Sequence, residues 1–113
     1  MNIEAADYSI THNPDLSTVF FQGFLRLDGM DAYQPVMDLL LDVLRQSSTL
    51  IINLRDLEFL NSSGISMLSM FVVKVREAGN VHLTLQGSDQ ILWQTKSLKN
   101  LQRLMPSMTL EFE

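Results

Sequence analysis

The sequence contains no cysteine, and several other patterns that carry chemistry are missing from it as well. Without cysteine the chain has no disulfide, no thiolate metal site and no cysteine nucleophile. Its two histidines, His12 and His82, are far apart in sequence and lack ligand spacing, so we expect neither a metal nor a cofactor. A Gly-x-Ser-x-Gly elbow and a glycine-rich phosphate loop are also absent, which leads us to expect no enzyme activity.

Positive charge and long apolar runs are scarce too. Eight basic residues stand against thirteen acidic ones, giving a net charge of −5. A nucleic-acid-binding protein would normally carry a basic patch. No apolar stretch approaches the roughly 18 residues that span a bilayer, and the first residues lack the basic-then-apolar pattern of a signal peptide. We therefore expect a cytoplasmic protein that binds neither nucleic acid nor membrane.

What is present is the composition of one ordinary globular domain. The chain has 113 residues, of which 46% are apolar and 19% are charged. That length suits a single core, and the apolar fraction is too high and the net charge too modest for a disordered chain. The sequence therefore predicts one domain over residues 1–113.

Hydrophobic periodicity predicts the element order β-β-α-β-α-β-α-β. The predicted strands are 7–13, 18–27, 50–54, 81–85 and 108–112, and the predicted helices run from about 32 to 46, 62 to 78 and 89 to 104. The turn Asn13-Pro14-Asp15 makes the first two strands an antiparallel hairpin, and Gly23 marks a bulge or a close backbone approach. Residues 55–61 are predicted to be a loop. This order implies an α/β fold with about three to four helices packed on a mixed sheet.

The junction between strand 50–54 and the helix that begins at Ser62 is the best candidate for a functional site. In open α/β sheets, functional groups gather where strand carboxyl ends meet helix amino termini. The free N–H groups and positive dipole end of a helix would stabilise a phosphoserine, which adds roughly −1.5 to −2 charge. The alternative is structural, because asparagine and serine are preferred N-cap residues. We expect Gly64 to keep the backbone accessible to a partner.

The surrounding string favours the functional interpretation. Residues 53–64, NLRDLEFLNSSG, closely resemble the signature of bacterial anti-sigma-factor antagonists of the STAS domain family. That signature has Asn/Asp-Leu, a short polar loop, an aromatic and an aliphatic residue, and then Asp-Ser-Ser/Thr-Gly opening a helix. The likeness extends from about Leu50 to the carboxyl terminus. It implies a single STAS-like domain.

For function, the resemblance implies a phosphorylation switch. In that family a partner anti-sigma factor that is also a serine kinase phosphorylates the first serine of the motif, and a phosphatase resets the cycle. Carried over by position, Ser62 would be the acceptor and Ser63 the second, usually unmodified hydroxyl. Asn61 departs from the family's usual aspartate. It can still cap the helix, but the lost carboxylate removes a charge that a kinase could read and a repulsion toward a phosphate.

The helix 62–78 is apolar on more than one side, which leaves two interpretations open. Met67, Met70 and Phe71 either pack within the domain or form an adaptable patch for a partner or a second copy. The function also has alternatives to the switch: a constitutive scaffold or signalling module on the same fold, or a domain resembling the STAS part of anion transporters, which the lack of a membrane segment disfavours. We expect a monomer or a weak homodimer.

Overall fold

Strands and helices alternate along most of the chain, as the sequence predicts. The structure, a computed structural model, describes residues 2–113. Over that range the chain forms six strands and four α-helices: β1 (Asn2–Glu4), β2 (Tyr8–Asn13), β3 (Thr18–Leu25), α1 (Gly29–Ala32), α2 (Gln34–Arg45), β4 (Thr49–Leu60), α3 (Ser62–Ala78), β5 (His82–Gly87), α4 (Leu92–Leu104) and β6 (Thr109–Phe112). In the same range no helix combines the length and the apolar character that crossing a bilayer requires.

The six strands form one mixed sheet in which their spatial order follows their order in the chain. β1, β2 and β3 pair antiparallel, so the predicted amino-terminal hairpin is confirmed and gains a short outer strand. From β3 to β6 every pair is parallel, and helices connect these strands. The fold is therefore the predicted single α/β domain with a mixed sheet.

The helices cover one face of the sheet and leave the other open. Strand residues alternate accordingly: in β4 and β5 the inner residues Ile52, Leu54, Leu83 and Leu85 are buried, whereas Ile51, Asn53, Thr84 and Gln86 are only half-buried. α3 lies among the helices and contacts α1, α2 and α4. Burying this continuous apolar layer removes it from water, at about 25 cal/mol per Å², and is the main force that holds the fold together.

The predicted loop at residues 55–61 is wrong, because β4 continues to Leu60. Its second half pairs with the end of β3 up to Leu25, through two irregularities in register. Gly23 permits one of these: its φ of +93° suits glycine, and an added Cβ would collide with the carbonyl oxygen of Asp7. Phe24 then donates its N–H to that same oxygen at 2.9 Å. The expected bulge or close approach at Gly23 is confirmed.

Several element boundaries also differ from the prediction. The first helix is split, with the short α1 preceding α2 and Tyr33 between them. β5 begins one residue later than predicted and α4 three residues later, at Leu92. The carboxyl end of α3 is as predicted, because Gly79 ends it at a φ of +76°, a left-handed conformation that glycine adopts without strain.

Candidate functional site

The predicted junction lies at the carboxyl edge of the parallel strands, where β4 passes into α3. Asn61 has an extended conformation (φ −78°, ψ 174°) and stops the strand, and α3 begins at the next residue. The N–H of Asn61 donates to the carbonyl oxygen of Leu25 at 3.3 Å, so β3 holds the chain up to the last residue before the helix. The sheet thus fixes where the first turn of α3 points.

The side chain of Asn61 caps α3 and also binds the loop after β3. Its oxygen accepts from the N–H of Gly64 at 3.0 Å and from the hydroxyl of Tyr33 at 2.6 Å. Its amide nitrogen donates to the carbonyl oxygen of Leu27 at 2.8 Å. An ionised aspartate has no hydrogen to donate and would place an oxygen against that carbonyl. Asparagine in place of the family's usual aspartate therefore has a structural reason in this chain.

Tyr33 completes this network from the helical side. Its hydroxyl accepts from the N–H of Leu27 at 3.3 Å while donating to Asn61, so the two side chains hold both backbone groups of Leu27. Burial raises the pKa of the Tyr33 phenol above its ordinary value of 10.0, although the hydrogen bond from Leu27 opposes the shift. The phenol therefore stays protonated at neutral pH and remains a donor to Asn61.

Ser62 is the accessible group of the site. It is the first residue of α3 and is exposed, while Ser63 is half-buried. The first N–H groups of a helix have no intrahelical partner, and α3 is 17 residues long, so an anion on Ser62 would lie at a favourable dipole end. The Ser62 hydroxyl takes no part in the cap, which Asn61 makes from the inward side.

Gly64 has a packing role that differs from the one expected for it. It is buried, and an added Cβ would lie 2.7 Å from the hydroxyl oxygen of Tyr33 and would collide with the side chain of Leu60. The glycine therefore lets α3 approach the network. Its role toward a partner stays a prediction, since the close contacts lie on the side where a Cβ would be.

The expected patch on α3 is mostly in the core. Met67 and Phe71 are buried against the sheet and the neighbouring helices, and only Met70 reaches the surface, with 51% of its area exposed. The packing interpretation holds for the first two, since an amphipathic helix in the middle of a layer must bury more than one stripe. Of the three residues Met70 alone lies on the surface, beside a groove of about 310 Å³, and its part in partner binding stays a prediction.

Sequence reasoning missed Gln94, a fully buried amide at the start of α4. Its nitrogen donates to the carbonyl oxygens of Leu54 and Leu57 at 2.5 and 2.9 Å, and its oxygen accepts from the N–H of Ser88 at 2.7 Å. Trp93 also donates its indole N–H to Leu57, at 3.2 Å. β4 extends beyond its pairing with β5, and these side chains bind the carbonyls left free there. A glutamine among helical polar residues gives no signal of this role.

Neither histidine is placed to activate a serine hydroxyl. His12 pairs with Val19 near the start of β3, and His82 begins β5, where its Nε2 lies 2.8 Å from the hydroxyl oxygen of Thr109. Both positions are at the amino end of the parallel strands, whereas Ser62 is at the carboxyl end. A general base has to lie within hydrogen-bond reach of the proton it removes, so the geometry does not support nucleophilic catalysis at Ser62.

Together, the mixed sheet, the helices on one face and the capped helix start that follows β4 define a STAS-like fold. Solved structures with this fold include the diguanylate cyclase SiaD in complex with its activator SiaC from Pseudomonas aeruginosa, matched with a TM-score of 0.74 and 13% identity over 99% of this chain and 97% of that chain. SiaC of Pseudomonas aeruginosa is also similar, with a TM-score of 0.63 and 14% identity over 99% and 93% of the two chains. No family model and no curated protein matches this chain. The predicted resemblance is thus confirmed at the level of the fold.

Proposed function

We propose that this chain is a non-enzymatic regulatory protein that binds a protein partner around Ser62 and is switched by phosphorylation of that serine. The observation that carries the proposal is an exposed hydroxyl at the first position of a long helix, whose cap is made by a different, inward-facing side chain. The hydroxyl is therefore free to be modified without unfolding the helix start.

Binding of a partner without catalysis is supported by the comparisons. SiaC is described as the activator of the diguanylate cyclase SiaD, so this fold serves elsewhere to regulate another protein. We infer for this chain a protein partner as well. The resemblance of residues 53–64 points to a serine kinase of the anti-sigma-factor class, with a phosphatase that reverses the modification, and an enzyme such as a cyclase is the second candidate partner.

A phosphate on Ser62 would oppose binding for two physical reasons. It adds roughly −1.5 to −2 charge, which has to lose its water when a partner covers the site, and it raises the negative charge of an edge that already carries Asp28 and Glu58. We therefore expect the unphosphorylated form to bind and the phosphorylated form to be released.

Intact-mass analysis of the chain from its native cells tests the modification. We expect a singly phosphorylated species that disappears in Ser62→Ala and persists in Ser63→Ala, which is the matched control because it lies in the same turn. A chain that is never phosphorylated, yet still copurifies with an identified partner, would establish the constitutive scaffold instead.

A pull-down with the same variants tests the switch. Ser62→Ala should retain the partner, and Ser62→Asp should lose it, because the carboxylate brings negative charge to the same place. Equal recovery with both variants would refute the phosphorylation switch while leaving partner binding intact.

A further inference from the structure

Exposed apolar side chains concentrate at the edge of the sheet that carries Ser62. Among the described residues six large apolar side chains are exposed, and four of them lie at this edge: Phe24, Met30, Phe59 and Leu92, with 44%, 37%, 38% and 89% of their areas exposed. Phe24 and Phe59 are the penultimate residues of β3 and β4. Met30 lies in α1, which follows β3, and Leu92 begins α4, which follows β5. Single exposed apolar residues are ordinary, and a contact surface requires side chains that adjoin one another.

Phe24 and Phe59 form the centre of this group. They are paired across β3 and β4, and their neighbours Leu25 and Leu60 are buried on the helix side, so both rings project from the open face. The guanidinium carbon of Arg26 lies 5.4 Å from the centre of the Phe59 ring, a cation–π distance. The side chains that the open face carries elsewhere are mostly polar, which makes this aromatic pair a distinct apolar surface.

Acidic side chains surround the aromatic pair. Asp28 and Asp31 follow β3, and Asp56 and Glu58 come from β4 itself; all four are exposed, and Arg26 is the cation among them. The basic residue of β4, Arg55, is paired with another acid, since its Nε lies 3.1 Å from a carboxylate oxygen of Glu113. The margin of the surface therefore carries net negative charge.

Apart from Lys96, one turn after Leu92, the basic residues of α3 and α4 lie in later turns, away from this edge. Lys74 and Arg76 are near the end of α3, and Lys99 and Arg103 are in the second half of α4. The negative charge beside Phe59 is therefore not offset by the basic residues in these later turns. A partner that matches both features has an apolar centre flanked by lysine or arginine.

We propose that the partner of this chain docks on the open face of the sheet at Phe24 and Phe59, and that it presents an apolar patch with basic side chains around it. This proposal rests on the proposed function and names the chemistry of its partner. The acidic side chains around the aromatic pair stay in contact with water in the complex, so they act mainly by steering association. Ser62 is three residues beyond Phe59, and the bound partner would cover it, so a charge there would have to lose its water. Margin charges therefore change the association rate constant, and a charge at Ser62 changes the dissociation rate constant.

The experiment measures binding kinetics with the partner identified in the Ser62 pull-down as the probe. Phe24→Ser combined with Phe59→Ser should raise the dissociation constant about 10-fold or more, because the double variant removes the apolar centre. Leu16→Ser is the matched control: Leu16 is 56% exposed but lies before β3, at the other end, and its loss should leave binding unchanged.

Charge reversal tests the chemistry of the partner. Asp56→Lys combined with Glu58→Lys should lower the association rate constant about 10-fold at low salt and weaken its dependence on salt. Asp15→Lys combined with Glu77→Lys changes the net charge equally at sites remote from this edge and should have little effect. Circular dichroism and urea unfolding of each variant verify that the fold is retained.

The outcomes separate this proposal from the one on which it rests. If the identified partner binds in a Ser62-dependent manner but tolerates both double variants, the docking surface is refuted and the proposed function stands. Faster association after charge reversal would refute the basic partner. If no partner is found, or if the chain binds only a second copy of itself, both proposals fail.

Discussion

Helices α3 and α4 both begin at the carboxyl ends of neighbouring parallel strands, yet their first turns are built in opposite ways. In α3, the side chain of Asn61 caps the helix from the interior of the domain and leaves Ser62 exposed. In α4 no side chain caps the helix, and Gln94 and Trp93 turn inward to bind carbonyls of β4. The comparison teaches that a helix start offers a site only where its polar side chains are not already bound inside.

The largest expected effect is at the start of α4. Gln94→Leu should lower the free energy of unfolding by about 3 kcal/mol, because it keeps the volume but leaves the carbonyl of Leu54 and the N–H of Ser88 without partners. The carbonyl of Leu57 loses one of its two donors and keeps Trp93. Urea unfolding measures this as a lower midpoint at an unchanged slope. Gln90→Leu is the control, because Gln90 is exposed at the same junction. It should change the free energy of unfolding by less than about 0.5 kcal/mol. If Gln94→Leu and Gln90→Leu changed stability equally, the buried hydrogen bonds of Gln94 would not distinguish the start of α4 from that of α3.

A smaller effect is expected when Asn61 is changed to aspartate, the residue usual at this position of the signature that residues 53–64 resemble. Asn61→Asp should cost about 1–2 kcal/mol at neutral pH, since it keeps the cap on Gly64 but loses the bond to Leu27 and sets two oxygens together. Asn53→Asp is the control, because Asn53 uses only its oxygen, which accepts from the N–H of Arg55. No difference between the two variants would show that the amide hydrogen of Asn61 is dispensable.

Tyr33→Phe tests the same hydrogen-bond network, and its effect on stability should depend on pH. The variant should lose about 1 kcal/mol at neutral pH, because Asn61 and Leu27 each lose a partner. The buried phenol has a raised pKa, so its contribution is complete below the unfolded value of 10.0 and is lost as the pH rises through the folded value. The difference between wild type and variant should therefore shrink above about pH 10. A difference that stays constant with pH would contradict this account.

The smallest effect on stability is expected at Ser62 itself. Ser62→Ala should change the free energy of unfolding by less than about 0.5 kcal/mol, because the exposed hydroxyl neither caps α3 nor fills the core. Thermal or urea unfolding beside Asn61→Asp measures it. A loss as large as that of Asn61→Asp would assign the serine a structural role and weaken it as a switch.

The elements that local signals specify were predicted well. The hairpin follows from alternation and the Asn13-Pro14 turn, and α3 has both of its ends marked in sequence, by a capping Asn61 and by Gly79. The length of β4 could not be predicted in this way. Its second half contains Asp56 and Glu58, which read as loop, and it is a strand because β3 pairs with it and α4 covers its other edge.

The candidate site divides in the same manner. The position of Ser62 at a helix start follows from the sequence, but the burial of Gly64, Met67 and Phe71 depends on which elements pack around α3. The role of Asn61 also depends on distant residues, since Tyr33 and Leu27 are 28 and 34 positions away. No local pattern encodes a hydrogen bond over such a separation.

By itself, then, the sequence determined the order of strands and helices, the absence of thiol chemistry and the place of an accessible serine at the amino end of α3. The tertiary structure alone decided which groups the side chain of Asn61 binds, why Gln94 is buried and which aromatic rings face solvent at the ends of β3 and β4. The physical reason is that periodicity and capping act within a few residues, whereas a buried polar group is satisfied only by the partner that the fold brings to it.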